Sequence, residues 1–317
     1  KLVRSAFFQV YPDLIAVELP ENIREEVLEG INRLPFLSLI GYADVLNPKK
    51  LNFVPVDPGD SIIEGIRMGL KHNTPVEFID LSVKEYRPPS FELPDDYSLN
   101  TLELKPFYEQ IARKFGQGPL KEKEKLRETL NLEEYLLSQH QDEEYGQLEK
   151  DVLREKYMAS HLLKLRPLYH LILFIVGMAH WENIKYFLDH PELVEDVKAD
   201  IIPHKHIQIY NIRSKDARFL LREVPYHSYK WLKFRENFSR DALSEIDTPE
   251  KMRTLLDSFD KASQVRQMFL KAKDEYEEEF KEFIDLHRLK TLFQYARNLS
   301  LVEGKLLPNF YRLVMSA

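Results

Sequence analysis

The sequence predicts an α/β protein: a mostly parallel sheet with flanking helices, a helical insertion and a helical C-terminal part. Three observations carry that expectation. Short, β-branched apolar runs alternate with helical patterns through the first third of the chain. A highly charged helical tract, from about Leu99 to Arg166, then interrupts the alternation. Beyond Ser214 no run has strand character. Strand–helix alternation at this spacing builds βα units, because parallel neighbours need a crossover between them.

Asp13–Leu19 (DLIAVEL) is short, apolar and β-branched, as in a buried strand. Glu21–Leu34 places Ile23, Val27, Leu28, Ile31 and Leu34 at helical spacing and loads acids into its first turn, where the helix dipole favours them. Phe36–Ala43, Leu51–Val56 and Val76–Leu81 (VEFIDL) read as further strands. Between the last two, Asp60–His72 sets Ile62, Ile63, Ile66 and Leu70 on one helix face. Tyr86–Asp96, rich in proline and acid, reads as a linker. Leu171–Val176 (LILFIV) restores buried-strand composition, Trp181–Leu188 looks helical, and His206–Ile212 is another strand. Asp216–Phe238, Thr248–Leu286, His287–Ser300 and Pro308–Met315 follow as helices. The last two are joined by Glu303-Gly304-Lys305, with glycine at a helix end. The domain reading is an α/β core of residues 1–90 plus 150–215, a helical insertion at 91–149 and a C-terminal helical region at 216–317. The chain lacks an initiator Met and both ends stop inside helical periodicity, so the expectation is a piece of a longer protein.

Lys plus Arg is 45 against 52 Asp plus Glu, a net charge of −7, which argues against a whole-surface nucleic-acid binder. The aromatic stretch Tyr226–Phe238, with Lys230, Lys233, Arg235 and Arg240, is then more simply a core-facing stripe with a basic outer side than a base-stacking surface. The absence of cysteine removes thiol nucleophiles, disulfides, Cys-ligated zinc and iron–sulfur clusters, and fits a reducing compartment such as the cytoplasm. The longest apolar stretch, Leu171 to Ala179, falls far short of the roughly 20 residues that span a bilayer, so no membrane segment is expected. There is no G-x-S-x-G elbow, no P-loop, no G-x-G-x-x-G after the first strand and no H-E-x-x-H.

What remains is a set of polar residues at the carboxyl ends of the expected strands, where ligands bind in open parallel sheets. Glu18 ends the first strand, Asp80 ends VEFIDL, and His180 follows LILFIV in Val176-Gly177-Met178-Ala179-His180. Gly177 is read as a sharp turn that presents His180 at the sheet edge. Two carboxylates and an imidazole at one edge can hold a divalent metal, with Glu18 and His180 as ligands, or act as acid and base around a bound water. Each residue also has a purely structural use. Glu18 can serve the next helix dipole, Asp80 can cap a turn, and His180 can be a hydrogen-bonded scaffold histidine. Arg24, a helical turn beyond the first strand, is the candidate substrate clamp, and Tyr42 is a pocket-lining candidate beside Asp44. His204 and His206 share a strand face but have no third ligand nearby, so a solvent-facing strand end is favoured over a metal pair.

The segments LIAVELPENIREEV, EFIDLS, REKYMASHLL and FIVGMAHWENI together resemble the TraB, ChaN-like and erythromycin esterase-like superfamily. VELPEN, LIGYAD, FVPVDPGDSI, VEFIDL and the end YARNLSLVEGKLLPNFYRLVMSA are similar to one prokaryotic domain family within it. The resemblance covers residues 1–90, 150–190 and 290–317. It implies an α/β fold with a strand-end acid at Glu18, a following arginine at Arg24, an acid at Asp80 and a late G-x-x-H motif at Gly177 and His180. Members carry an earlier histidine-bearing strand, which has no counterpart after Lys1. The resemblance implies hydrolase chemistry, metal-dependent in some relatives. It also implies links to AAA-type ATPases and von Willebrand A-type proteins.

Two functions follow as expectations. One is a hydrolase whose water is activated by a metal or a His–carboxylate pair, through Glu18, His180 and Asp80. The other is a non-catalytic module that docks such a protein partner through its C-terminal helices.

Overall fold

The computed structural model describes residues 1–43, 51–82, 124–126, 143–194, 207–213, 215–217, 224–236 and 248–317, with single positions 106 and 109. The linker at 86–96, most of the 91–149 insertion, Asp44, His204 and His206 lie outside the described residues.

The protein is α/β, with a parallel sheet flanked by helices and a helical C-terminal part. Strand β1 (Leu14–Pro20) lies between β4 (Val76–Asp80) and β5 (Ile172–Ile175), and both pairings are parallel. Strands β2 (Ser38–Ala43) and β3 (Leu51–Pro55), with β6 (Ile207–Asn211), instead form a separate antiparallel sheet in the order β3-β2-β6. The reason is chain length. Only residues 44–50 connect β2 to β3, whereas a parallel crossover takes a dozen residues or more.

Strand β1 is apolar on both faces because both are covered. Ile15, Val17 and Leu19 pack with helices α1 (Leu2–Val10), α2 (Arg24–Asn32) and α3 (Ser61–His72), and with Ile40 and Ile207 of the second sheet. Ala16 and its neighbour Ile79 face the other way, onto α4 (Glu143–Leu165) and α5 (Met178–Asp189), through Val152, Met158, Ala159, Leu162, Ile184 and Phe187. Trp231 of α6 (Pro225–Glu236), Leu256 of α7 (Pro249–Asp257) and Phe259 join the first core. A third cluster, Val224, Val265, Phe269 and Leu313, ties α8 (Lys261–Phe280) and α10 (Phe310–Ser316) together, with Leu292 and Phe293 of α9 (Leu286–Val302) against it.

The single helical stretch expected over Thr248–Leu286 is two helices broken at Ser258–Asp260. Asp260 accepts from the N–H groups of Ala262 and Ser263 and so starts α8 as an N-cap, a contribution of about 1 kcal/mol. Thr248, Asp60, Asp285 and Asn309 start their helices in the same way. Gly304 takes a φ of 69° just past α9, the left-handed position that glycine adopts without a Cβ penalty. Among the described residues no helix is long and apolar enough to cross a membrane.

Candidate functional site

Strand alternation decides where Glu18 points. Ile15, Val17 and Leu19 occupy one face, so Ala16 and Glu18 share the other, toward α4 and α5. There Glu18 Oε2 accepts from the Gly177 N–H at 2.6 Å, and Oε1 accepts from Arg154 Nη2 at 2.7 Å. Asp80 ends β4 where the β1–β4 register slips between Val17 and Pro20. Its Oδ2 accepts from the same Arg154 Nη2 at 2.8 Å, while Oδ1 accepts from Arg154 Nε at 3.1 Å and from the Leu81 N–H at 2.8 Å. One guanidinium thus bridges two strand-end carboxylates.

The imidazole arrives from the first turn of α5. His180 Nδ1 lies 2.7 Å from Glu155 Oε1, and Glu155 Oε2 accepts from Asn183 Nδ2 at 2.6 Å. His180 and Asn183 are three residues apart, so both reach α4 from one helix face. A carboxylate only accepts, so Nδ1 carries the proton and Nε2 is the variable nitrogen. Nε2 faces Glu18 Oε1 at 3.5 Å, beyond a strong hydrogen bond. The three residues expected to meet, Glu18, Asp80 and His180, therefore do meet.

Their electrostatics are set by burial and by one another. Burial alone lowers the His180 pKa, but the hydrogen bond it donates to Glu155 and the charges of Glu18 and Glu155 outweigh it and hold the value above 6.5. Burial alone raises Glu18, but His180, Arg154 and the Gly177 N–H outweigh it and hold the carboxyl below its ordinary range. For Asp80 burial prevails over the pull of Arg154 and the pKa is raised. Burial opposes the charge of Arg154, yet Asp80 and Glu18 keep it firmly protonated.

Gly177 has φ −60° and ψ 131°, an ordinary extended conformation, so the sharp turn expected there is absent. Its lack of a side chain serves close approach instead: a Cβ would sit 3.2 Å from Glu18 Oε2 and 3.5 Å from His180 Cδ2.

Arg24 is not brought to this cluster. Its Nη1 donates to the Val76 carbonyl at 2.7 Å and its Nη2 to Glu77 at 3.1 Å. Val76 begins β4 and Asp80 ends it, so roughly 13 Å of strand separates them at about 3.3 Å per residue. The short helical turn Glu21–Ile23 precedes α2 and carries Arg24 to the outer edge of β4, where it lies 4.7 Å over the Phe78 ring. Tyr42 stands on β2 in the antiparallel sheet, half-buried against the first core.

Arg154, Glu155 and Asn183 were not anticipated. A signal was present in α4, where Arg154 and Glu155 precede Met158 and Ala159 by one turn. Both charged residues therefore fall on the stripe that the apolar pattern buries. A charge pair inside a buried stripe calls for partners.

Among the described residues no three His, Asp or Glu side chains are gathered to hold a metal ion. The Arg154 guanidinium stands between Glu18 and Asp80, and the two residues expected to ligate a metal, Glu18 and His180, face each other at 3.5 Å. A scan against protein-family models and searches of curated proteins and of solved structures returned no match to this chain.

Proposed function

We propose that this cluster is a hydrolytic acid–base site in which a His–carboxylate pair activates water. The observation that carries the reading is the geometry of His180: Nδ1 is fixed on buried Glu155 at 2.7 Å while Nε2 faces Glu18 across 3.5 Å. Glu155 holds the tautomer and stabilises the imidazolium that forms when Nε2 takes a proton, the role an orienting carboxylate plays beside a general base. Glu18, kept ionised, accepts a hydrogen bond from the attacking water and aligns it. Arg154, itself anchored on Asp80, and the Gly177 N–H hold Glu18 in place. The resemblance to the TraB, ChaN-like and erythromycin esterase-like superfamily supports hydrolase chemistry on the same residues.

Once Nε2 has taken its proton, the cluster sets two cations, Arg154 and His180, against four carboxylates, Glu18, Asp80, Asp151 and Glu155, and 2 − 4 gives −2. That balance suits a neutral scissile group, an ester or amide, better than an anionic one. It also favours acid–base chemistry over a divalent metal, since Arg154 already supplies the positive charge between the carboxylates.

The test is hydrolysis of p-nitrophenyl acetate and of dye-labelled casein by the wild type, Glu18→Gln and His180→Ala, each with EDTA or with added manganese. Both variants are expected to lose about 10²–10⁴-fold in turnover, the usual share of a general base, and EDTA is expected to change nothing. Equal rates in all three proteins reject the site. Activity only with manganese would restore the metal reading.

A second reading rests on a different observation. Phe283 and Leu286, at the start of α9, are largely exposed, and neighbouring exposed apolar residues mark docking sites. The resemblance suggests an AAA-type ATPase or von Willebrand A-type partner in the cytoplasm. Co-purification with such a partner, lost in the Phe283→Ser, Leu286→Ser double variant, would support docking.

A further inference from the structure

Helix α8 carries an apolar seam that loses its cover halfway along. Val265 and Phe269 lie on it one turn apart, buried against Val224, Leu313, Leu292 and Phe293. The same face continues at helical spacing through Tyr276 to Phe280. There solvent reaches it: Phe269 is 7% exposed, Tyr276 38% and Phe280 56%. The elbow that follows is held by local ties rather than by a core. Glu277 accepts from Lys273 Nζ at 2.8 Å and from the Ile284 N–H at 2.7 Å, and the Tyr276 hydroxyl donates to Glu282 at 2.9 Å. Phe283 and Leu286 stand out from this turn, and α9 returns to set Phe293 edge to face with Phe269 at 5.5 Å. An apolar surface arranged in advance loses little further freedom when it is covered.

Charge identifies what covers it. Residues 273–285 hold two lysines against seven acids, and 2 − 7 gives −5. Helix α9 holds no acid and three cations, Arg288, Lys290 and Arg297, a charge of +3. On α8, exposed Glu275 and Glu279 run one turn apart beside Tyr276 and Phe280. On α9, Leu286, Lys290, Arg297 and Leu301 fall on one exposed line. The outer sides of the two helices are therefore electrostatic complements, each with apolar residues among its charges. A two-fold axis at the elbow sets the acidic α8 of one copy on the basic α9 of the other and repeats the contact in reverse, so one surface is its own partner. A foreign protein would have to bring both an acidic and a basic helix to match it.

We propose that the α8–α9 elbow is a dimer interface, closed by a second copy of this chain about a two-fold axis. Two helical arms supply the roughly 20–30 residues a side that a stable interface takes. Tyr276, Phe280 and Phe283 form its apolar centre, and the opposed charges of Glu275 and Glu279 with Lys290 and Arg297 set its register. The elbow includes Phe283 and Leu286, so a second copy takes the place that a foreign partner holds in the docking reading. The purified chain on its own decides between the two occupants, and the hydrolytic cluster is not involved.

The experiment measures the mass of the purified full chain by sedimentation equilibrium over a range of protein concentrations, in low and in high sodium chloride. Twice the single-chain mass of 37.6 kDa is expected in low salt, with weaker association in high salt, which screens the charge pairs. The Glu275→Lys, Glu279→Lys double variant and the Lys290→Glu, Arg297→Glu double variant change exposed positions only. Each is expected to sediment as a single chain, and their equimolar mixture to return to the double mass. Phe280→Ser with Phe283→Ser is expected to give a single chain in either salt. A single-chain mass for the wild type at every concentration overturns the proposal. So does a double mass that survives both charge reversals, or a pair of reversed variants that does not recover it on mixing. A mass above two chains overturns the closed two-fold arrangement.

Discussion

His180 Nδ1 lies 2.7 Å from Oε1 of Glu155, a carboxylate with no solvent exposure at all. An ion in that position is tolerable only because every partner is present: the imidazole on one oxygen and Asn183 on the other.

Glu155→Gln tests that pairing. The amide accepts more weakly and carries no charge, so the main support of the raised His180 pKa disappears. The histidine titration, followed by NMR, is expected to move down toward or below 6.5, where burial alone pushes it. The base limb of any pH–rate profile should move with it. A titration that does not move would show that Glu155 does not set the imidazole.

Arg154→Met removes the bridge between Glu18 and Asp80 and leaves two buried carboxylates facing each other. Breaking a buried ion pair from one side costs about 3–5 kcal/mol. The urea midpoint at pH 7 should fall accordingly. Part of the loss should return as the pH drops and the carboxylates take up protons, or in the Arg154→Met, Asp80→Asn double variant.

The pH dependence follows from the signs of two shifts. His180 has a folded pKa above its ordinary 6.5, so its stabilisation is complete below 6.5 and is lost as the pH rises through the folded value. Glu18 has a folded pKa below its ordinary 4.5, so its stabilisation is present above 4.5 and is lost as the pH falls through the folded value. The stability difference between wild type and His180→Gln is expected to be greatest between pH 4.5 and 6.5 and to shrink on either side. Denaturant midpoints across pH 4 to 9 measure it, and a flat difference would contradict the assignment.

Glu64→Gln removes the carboxylate that Arg4 and Arg235 share. A loss of about 3–5 kcal/mol is expected from the same rule for one-sided removal of a buried pair, read as a lower urea midpoint. Arg33→Ala, whose pair with Glu29 is on the surface, should change that midpoint by less than about 1 kcal/mol.

The strands of the parallel sheet were legible because their signal is local. DLIAVEL, VEFIDL and LILFIV are short, β-branched and apolar on both faces, and each became a strand within a residue or two. The positions of Glu18, Asp80 and His180 at the ends of those runs were legible for the same reason, and parallel strands bring their carboxyl ends to one edge. The antiparallel pairing of β2 with β3 was also open to reading, since the connection at residues 44–50 is too short for a crossover.

Sequence by itself determined which polar groups would stand at the edge of the sheet, because strand ends follow from local composition. Only the tertiary structure decided what those groups are. Arg154 meets Asp80 across 74 positions and Glu18 across 136. A buried charge owes its ionisation to partners supplied by other elements, and no local pattern encodes which charge will arrive opposite which. For the same reason Arg24, which the sequence places beside the first strand's end, turns away to the outer edge of β4. Arg154, which the sequence hides in a charged helical tract, holds the centre of the cluster.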